Sequence, residues 1–352
     1  MQTELEIRAT FAKQAVWCAQ LGSPLTACLM EGLGVALDHS TQTGRKILGW
    51  SGRADALGDA AALRLAGALN ALVRSGRLPK LAAFYPPNDL PDMAVLTGAA
   101  MAAITDADAE ICAWLEHPPQ TNEVARSAVL FPGFGYISEQ TGLPLALYEI
   151  GASGGLNLFG DLFSYRFGDH LRGDPASDVI LSPKWSGAAP PTCDLRIVRR
   201  KGCDRNPLDI TRSDHRDRLL AYIWPDQPLR IARITAALKV AQRAPPEMEM
   251  SDAADWVETQ ISKVPETGVV RVLFHSIAYQ YFPDDVKRRI LTRMQSAGAK
   301  ATKEAPLAWL SFEQDSDEGP RLTLRLWPDG EMQELAVAGP HVHAIEWKGV
   351  TA

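Results

Sequence analysis

The chain has 352 residues, of which 46% are hydrophobic and 22% are charged, so its composition is that of a folded protein with one or two domains. Its formal net charge is −6 and it has no long basic cluster, which argues against a nucleic-acid substrate. The 5 cysteines include no Cys-x-x-Cys pair, which argues against a disulfide framework or a structural zinc site.

The start of the chain is acidic and lacks the apolar core of a secretory signal. The longest nearly apolar run, residues 94–104, is too short to span a membrane. Both observations lead us to expect a cytoplasmic protein that contacts no membrane.

Residues 1–140 are predicted to form an N-terminal helical domain. Apolar side chains such as Ile7 and Phe11 recur at helical spacing over residues 4–21, and residues 54–73 are rich in alanine and leucine. No strand pattern of any strength appears in this region.

The pattern changes after residue 140. A nearly continuous apolar run at residues 145–150 has the length of a central parallel strand covered on both faces. Further strand candidates are residues 194–198, 269–274, 307–312, 321–327 and 341–347. Helical patterns lie between several of them, at residues 156–163, 227–241, 255–261 and 284–297. This alternation predicts that residues 141–352 form a Rossmann-like, doubly wound α/β domain with a mostly parallel sheet.

Two segments of this predicted domain depart from simple alternation. Only Pro328-Asp329-Gly330 and a short loop separate the last two strand candidates, so we expect a C-terminal antiparallel hairpin at the sheet edge. Residues 164–192 are rich in glycine and proline and are predicted to be a long loop, either a lid or a surface excursion without a role.

A glycine-rich turn follows the first predicted strand and reads Glu149-Ile150-Gly151-Ala152-Ser153-Gly154-Gly155. It lies at a strand-to-helix junction, which is the context that gives such a motif its meaning. Gly151 can take a tight turn without steric cost, and the following helix offers free N–H groups to a polar ligand. We therefore predict a cofactor site here, with a purely structural turn as the alternative.

The same turn fits Gly-x-Ser-x-Gly, the pattern around the nucleophile of α/β-hydrolases. The triad would consist of Ser153 as nucleophile, Asp252 or Glu313 as acid, and His341 or His343 as base. Against this interpretation, Glu149 would have no task, and no His-Gly-Gly oxyanion loop precedes the turn.

Residues 147–158, which read Leu-Tyr-Glu-Ile-Gly-Ala-Ser-Gly-Gly-Leu-Asn-Leu, resemble motif I of class I S-adenosylmethionine-dependent methyltransferases. More narrowly, this block and residues 202–209, 224–227 and 274–281 resemble the bacterial domain-of-unknown-function family 2332 over almost the whole chain. The narrow resemblance carries no assigned reaction. The broad one implies a methyltransferase-like Rossmann domain that binds S-adenosylmethionine, and a terminal hairpin after parallel strands is also typical of that class.

The broad resemblance implies specific contacts to the cofactor. The residues concerned are Glu149, Gly151, Ser153, Gly154, Gly155, Asn157, Asp204, Asp252 and Ser276. Glu149 and the turn would hold the methionine part, Asp204 the ribose hydroxyls, and Asp252 the adenine amine. Asp204 lies much farther along the chain than the usual spacing of about 20 residues, so the 164–192 insertion has to account for the excess. A turn residue at Asp204 and a helix N-cap at Asp252 are the plain alternatives.

Polar side chains follow the strand predicted at residues 269–274. His275 and Ser276 would lie at the cleft where open α/β sheets bind ligands. His275 is the candidate catalytic base, because its ordinary pKa lies near neutrality, and a histidine hydrogen-bonded to the strand end is the alternative. Tyr279 is expected either to line the substrate pocket or to pack.

Two further pairs of polar residues are of interest. Glu123 and Arg126 could face the cleft and bind a polar substrate, or could lie on a solvated helix face. His341 and His343 are two apart on a predicted strand and would point to one face. No cysteine or carboxylate at an obvious spacing completes a metal site, so we expect no metal.

Together these observations predict a methyltransferase-like protein that acts on a small molecule, with the N-terminal helices as a cap over the cleft. The alternatives are a cofactor-binding protein without turnover and a hydrolase that uses Ser153. The sequence does not specify the methyl acceptor or the oligomeric state.

Overall fold

The structure is a computed structural model that describes residues 2–192, 194–314 and 319–349. The chain divides into two compact units. One comprises the chain up to Thr121 together with Ser213–Ala232, and the other comprises Asn122–Arg212 and the chain from Arg233 onward.

The first unit is helical throughout its described residues. Its helices are α1 (Glu4–Gln20), α2 (Pro24–Ala36), α3 (Gln42–Leu48), α4 (Ala61–Arg74), α5 (Pro79–Ala82), α6 (Met93–Asp106), α7 (Asp108–Trp114) and α9 (Ser213–Ala221). A capping box formed by Thr3 and Glu6 starts α1, and Pro24 occupies the first turn of α2. Helix α4 is buried on most of its sides, as expected for the helix at the centre of such a bundle.

The second unit is built on a nine-stranded sheet in the order β5-β12-β11-β10-β9-β8-β1-β6-β7. Its strands are β1 (Leu145–Ile150), β5 (Lys184–Gly187), β6 (Ile197–Asp204), β7 (Glu247–Met250), β8 (Val270–Ser276), β9 (Leu307–Glu313), β10 (Arg321–Trp327), β11 (Met332–Ala338) and β12 (Ala344–Trp347). Strands β7, β6, β1, β8 and β9 are mutually parallel, so their carboxyl ends share one edge of the sheet. The predicted mixed α/β class with a mostly parallel sheet is therefore confirmed.

Helices cover both faces of the parallel strands. The α-helices of this unit are α8 (Ser127–Thr141), α10 (Pro228–Gln242, which belongs to this unit from Arg233), α11 (Ala253–Ser262) and α12 (Asp284–Gly298), and 3-10 helices span Val124–Arg126, Leu156–Leu162 and Tyr279–Tyr281. Tyr148 and Ile150 share a buried cluster with Trp256 of α11 and Ile290 of α12. Because side chains alternate along a strand, Glu149 points to the opposite face, on which α8 packs.

The expected C-terminal hairpin differs in its strands. Strand β10 pairs with β11 rather than with the segment predicted at residues 341–347, and β12 follows as a further antiparallel strand. The hairpin is also not at the edge, because β5 pairs in parallel with β12. The prediction missed β11 because its exposed start, Met332 and Gln333, does not read as a buried strand.

Residues 164–192 are not the long loop that we expected. They form β2 (Ser164–Phe167), β3 (His170–Gly173) and β4 (Ile180–Leu181), which make a small separate sheet, and then β5 of the large sheet. Each of these strands has at most 4 residues, which is too short for a periodic pattern to stand out between glycines and prolines.

The described helices and cysteines bear on two further expectations, which concern membrane spans and disulfides. None of the described helices is both long and apolar enough to cross a membrane. Four cysteines, Cys18, Cys28, Cys112 and Cys203, are free thiols, and Cys193 lies outside the described residues.

Candidate functional site

The glycine-rich turn leaves β1 in a conformation that favours glycine. Gly151 has φ +65° and Gly155 has φ +70°, and an added Cβ would lie 2.6 Å from the Cβ of Ala278 at Gly151 and 2.9 Å from the Sδ of Met248 at Gly155. Between them, Gly154 is buried, and Ser153 has φ 53°, which a residue with a side chain seldom adopts. The turn is therefore a fixed and locally strained feature at the carboxyl end of the central strand.

Asp204, the last residue of β6, holds this turn in place. Its Oδ2 accepts a hydrogen bond from the Ser153 N–H at 2.9 Å, and its Oδ1 accepts one from the Asn206 N–H at 2.9 Å. The Ser153 carbonyl in turn accepts from the Leu208 N–H at 3.1 Å. The turn role that we considered for Asp204 is thus present.

Glu149 places a carboxyl group beneath the turn with one oxygen unused by the protein. Glu149 is 2% exposed, and its Oε2 has no hydrogen-bond partner. Burial raises the pKa of Glu149 well above its usual value, and the Asp204 charge raises it further, whereas Arg126 and a hydrogen bond from Asn157 act in the opposite direction. Asn157 is held by the Ser127 hydroxyl, which donates to Asn157 Oδ1 at 2.8 Å.

The Ser153 side chain is a second buried group without a partner. Its residue is 6% exposed and its Oγ forms no hydrogen bond. Buried polar groups in proteins are almost always hydrogen-bonded, so a hydroxyl and a carboxyl oxygen left unpaired in one turn make this turn a candidate ligand site.

A cavity of about 220 Å³ opens beside this turn. It is lined by Gly151, Cys203, Asp204, Arg205, Ser251, Asp252, Ala253, Tyr281, Phe282, Pro283 and Val286. These residues come from the carboxyl ends of β1, β6 and β7 and from the start of α12. The cavity therefore lies at the edge of the sheet at which the parallel strands end.

Asp252 is the N-cap of α11, as the plain alternative stated. Its Oδ1 accepts hydrogen bonds from the N–H groups of Ala254 at 2.9 Å and Asp255 at 3.4 Å. Because Asp252 also lines the cavity, its role as a cap and a contact to a ligand are compatible.

His275 lies in a closed hydrogen-bond network at the end of β8. Its Nδ1 is 2.7 Å from Glu313 Oε1, and its Nε2 accepts a hydrogen bond from the Trp309 indole N–H at 3.0 Å. An indole nitrogen can only donate, so Nδ1 carries the proton and donates it to Glu313. The residue is 1% exposed, and both ring nitrogens are occupied. This geometry matches the structural alternative for His275 and offers no free nitrogen to a substrate.

Glu313, which the sequence suggested only as a hydrolase acid, has a structural role that the sequence did not reveal. Its Oε1 also accepts from the N–H groups of Ala278 and Tyr279, both at 3.0 Å, and its Oε2 accepts from the Gln280 N–H at 3.3 Å. Burial alone would raise its pKa, but the His275 hydrogen bond and these backbone donors hold the pKa of Glu313 below its usual value. The sequence did offer one signal for this pair. Glu313 ends β9 and His275 lies at the end of β8, and neighbouring parallel strands end at the same edge of a sheet.

Tyr279 packs rather than lining the cavity. Its ring stacks on His275 with centroids 4.7 Å apart, and its hydroxyl donates to the Lys287 carbonyl at 3.0 Å. Burial raises the pKa of Tyr279 to about 12. Tyr281, two residues on, is the tyrosine that borders the cavity.

Arg126 lies at the carboxyl end of β8. Its Nη1 donates to the Ser276 carbonyl at 2.9 Å, and its charge acts on Glu149. The backbone of Ser276 thus anchors Arg126 near the turn, and Ser276 itself is 7% exposed.

Glu123 is buried rather than on a solvated face, with 2% exposure. Its Oε1 caps the 3-10 helix at Ala125 N (3.1 Å) and is 3.4 Å from Arg233 Nη1, and its Oε2 is 3.3 Å from His341 Nδ1. The last two contacts border a second cavity of about 80 Å³, which His343 also lines. His341 and His343 precede β12 rather than lying on a strand, and no group of three metal-ligating side chains is found among the described residues.

The hydrolase interpretation finds no base in this geometry. The Ser153 hydroxyl forms no hydrogen bond, so it touches no imidazole. The two histidines proposed as bases lie at the second cavity, where His341 contacts Glu123. Glu313, one of the proposed acids, is occupied by His275 and the backbone.

Comparison with known proteins gives one match. A family model described as "Uncharacterized protein conserved in bacteria (DUF2332)" matches residues 8–347. No curated protein and no solved structure matches the chain. The family match therefore confirms the narrow resemblance, to family 2332. No matched protein supports the methyltransferase resemblance.

Proposed function

The chain belongs to the bacterial family DUF2332, and from its geometry we propose that it is an S-adenosylmethionine-dependent, methyltransferase-like protein that acts on a small molecule. The observation that carries the proposal is the combination of the cavity beside Gly151 with the unpartnered buried oxygens of Glu149 and Ser153.

The order of the parallel strands supports a Rossmann-like domain. Numbered along the chain, the five strands β1, β6, β7, β8 and β9 lie in the order 3-2-1-4-5. This is the order of dinucleotide-binding sheets, in which ligands bind outside the carboxyl ends of the strands at the point where the order reverses. Here that point lies between β1 and β8, beside the glycine-rich turn.

The residues around the cavity fit an adenosyl group. Asp204 ends β6 and lines the cavity, where a carboxylate can accept hydrogen bonds from ribose hydroxyls. Asp252 follows β7 and lines the same space, so it can accept from the adenine amine. The cavity is smaller than the roughly 300–1,000 Å³ of pockets for drug-sized ligands, so it suits the nucleoside part alone.

The other end of the cofactor fits the turn itself. The methionine ammonium group is a cation with several donors, and Glu149 Oε2 is a buried acceptor that lacks a donor. Ser153 Oγ can donate to the methionine carboxylate or accept from the ammonium group. These contacts would satisfy the two unpaired polar groups of the site.

When bound, the cofactor supplies a methyl group already activated by its sulfonium charge, so the protein has to orient the acceptor rather than activate it. His275 has no free nitrogen, so we do not assign it a proton-transfer role. Arg126, anchored at the Ser276 carbonyl, is the charged side chain best placed to meet a polar acceptor at this edge. Buried Glu123 and the packed Tyr279 would then act on substrate binding only through their neighbours.

Isothermal titration with S-adenosylmethionine and S-adenosylhomocysteine tests the proposal. Both ligands should bind, and Ser153→Ala should weaken binding about two- to tenfold, the value of one hydrogen bond of about 0.5–1.5 kcal/mol, without loss of stability. Ser296→Ala, on the exposed side of α12, is the control and should bind like the wild type. No binding of either ligand by the folded protein would refute the proposal.

Two assays separate the alternatives. Transfer of a labelled methyl group to any member of a small-molecule panel would distinguish an enzyme from a cofactor-binding protein without turnover. Labelling of Ser153 by a fluorophosphonate, absent in Ser153→Ala, would instead establish the hydrolase.

A further inference from the structure

Three elements of the helical unit meet around the end of α7. Tyr222 directly follows α9, and its hydroxyl donates to the His117 carbonyl at 2.8 Å. Arg64 of α4 donates from Nη1 to the Leu115 carbonyl at 2.8 Å. A Cβ at Gly67, one turn after Arg64, would lie 2.4 Å from the Tyr222 ring, so α4 and α9 are in close contact there.

Arg218 of α9 lies within this junction without a counter-ion. It lies in α9, four residues before Tyr222. The residue is 8% exposed, yet its Nε and Nη2 have no hydrogen-bond partner. No carboxylate in the described chain forms an ion pair with it. A buried arginine is normally paired, because an unpaired buried charge is strongly unfavourable.

The neighbours of Arg218 add positive charge rather than removing it. Burial and then the Arg64 charge act to lower the pKa of Arg218, and burial, Arg218 and Arg64 together lower the pKa of His117. The nearby carboxylates are directed elsewhere. Asp59 is 3.8 Å from Arg64 Nη2 and partly exposed, and the exposed Glu116 pairs with Lys46.

We propose that Arg218, Arg64 and His117 form a binding site for a phosphate group, delivered as free phosphate or as a phosphate monoester. The planar fork of a guanidinium matches phosphate oxygens, and the unpaired Nε and Nη2 of Arg218 lie on one edge of that fork. A phosphate group would supply the counter-charge that Arg218 lacks, whereas Arg64 already faces Asp59 Oδ1 at 3.8 Å. The site is distinct from the residues of the proposed cofactor site and does not depend on them.

Thermal unfolding in sodium phosphate and in sodium chloride of equal ionic strength tests this site. Phosphate should raise the melting temperature of the wild type, because a ligand that binds only the folded state stabilises it. Arg218→Met should abolish the phosphate effect and should melt higher than the wild type in chloride, because it removes an unpaired buried charge. Arg74→Met, at the exposed end of α4, is the control and should respond to phosphate like the wild type.

An equal phosphate response in the wild type and Arg218→Met, or no response in the wild type, would overturn the proposal. If Arg218→Met does not fold, Arg218→Lys keeps the charge without the fork, and titration calorimetry should show phosphate affinity reduced about tenfold or more. Calorimetry with inorganic phosphate and with glycerol 3-phosphate identifies the source. Binding of the monoester alone indicates a phosphorylated metabolite, equal binding of both indicates free phosphate, and binding of neither refutes the site.

Discussion

At the scale of single residues, the sequence identified the glycine-rich turn but not the hydrogen bonding of its side chains. The spacing of Glu149 and the glycines identified the turn, because an acid and glycines at a strand-to-helix junction depend only on local order. Whether Glu149 Oε2 has a partner depends on residues far along the chain, such as Asp204 at the end of another strand. In the same way, the occupied nitrogens of His275 follow from Trp309 and Glu313, which no local pattern connects to it.

The raised pKa of Glu149 predicts how stability depends on pH. Because the folded state holds this proton more tightly than the unfolded state does, stability should fall as pH rises above the ordinary glutamate pKa of about 4.3. Glu149→Gln should remove that loss, by about 1.4 kcal/mol for each unit by which the pKa is raised. Urea unfolding of both proteins from acidic to neutral pH measures the difference, and the exposed Glu331→Gln is the control. Parallel pH profiles for the wild type and Glu149→Gln would contradict a raised pKa of Glu149.

At the scale of elements, long segments were predictable and short ones were not. The apolar runs that became β1, β8 and β9 were each identified to within a few residues, because a strand buried on both faces needs continuous hydrophobicity. Strands β2 to β5 escaped notice because each gains its stability from its partner strand rather than from its own 2 to 4 residues. The backbone of residues 278–280, which follows β8, also depends on a residue distant in sequence, because its N–H groups donate to the Glu313 side chain.

Glu313→Gln tests that role. An amide keeps one acceptor but turns a donor toward the Gln280 N–H and lacks the charge, so we expect a loss of about 2–4 kcal/mol in the free energy of unfolding. Since the pKa of Glu313 is lowered in the folded state, the loss should be full at neutral pH and should narrow as the pH falls below about 4.3. Denaturant unfolding of the wild type and Glu313→Gln, at neutral pH and at a pH below about 4.3, measures this loss. Trp309→Phe removes the hydrogen bond to His275 Nε2 and part of the ring that packs on His275 and Tyr279, and together these losses should cost less. An equal or larger cost for Trp309→Phe would mean that Glu313 does not hold the connection.

At the scale of the whole molecule, the two compact units do not correspond to an N-terminal and a C-terminal part of the chain. The predicted boundary after residue 140 came from the place where strand patterns begin. Local periodicity could not reveal that Ser213–Ala232 belongs with the N-terminal helices, because the helical pattern of α9 is the same whichever unit it packs in. Only contacts distant in sequence assign it. Asn70 Nδ2 donates to the carbonyls of Ala221 and Ile223, both at 2.9 Å.

This assignment predicts that the chain up to Thr121 does not fold stably by itself. Such a fragment leaves the buried Asn70 amide without its two acceptors, at about 1–3 kcal/mol, and loses the buried side chains of Leu219 and Ile223, at about 1.5–3 kcal/mol each. Because small domains are stable by only about 5–15 kcal/mol, the sum removes much of the margin. The same fragment joined to Ser213–Ala232 by a glycine-serine linker should unfold cooperatively when followed by circular dichroism. The linked fragment with Leu219 and Ile223 both changed to alanine is the control of equal length and should melt lower. A fragment ending at Thr121 that melts as cooperatively, and at the same temperature, as the linked one would show that Ser213–Ala232 adds nothing to that unit.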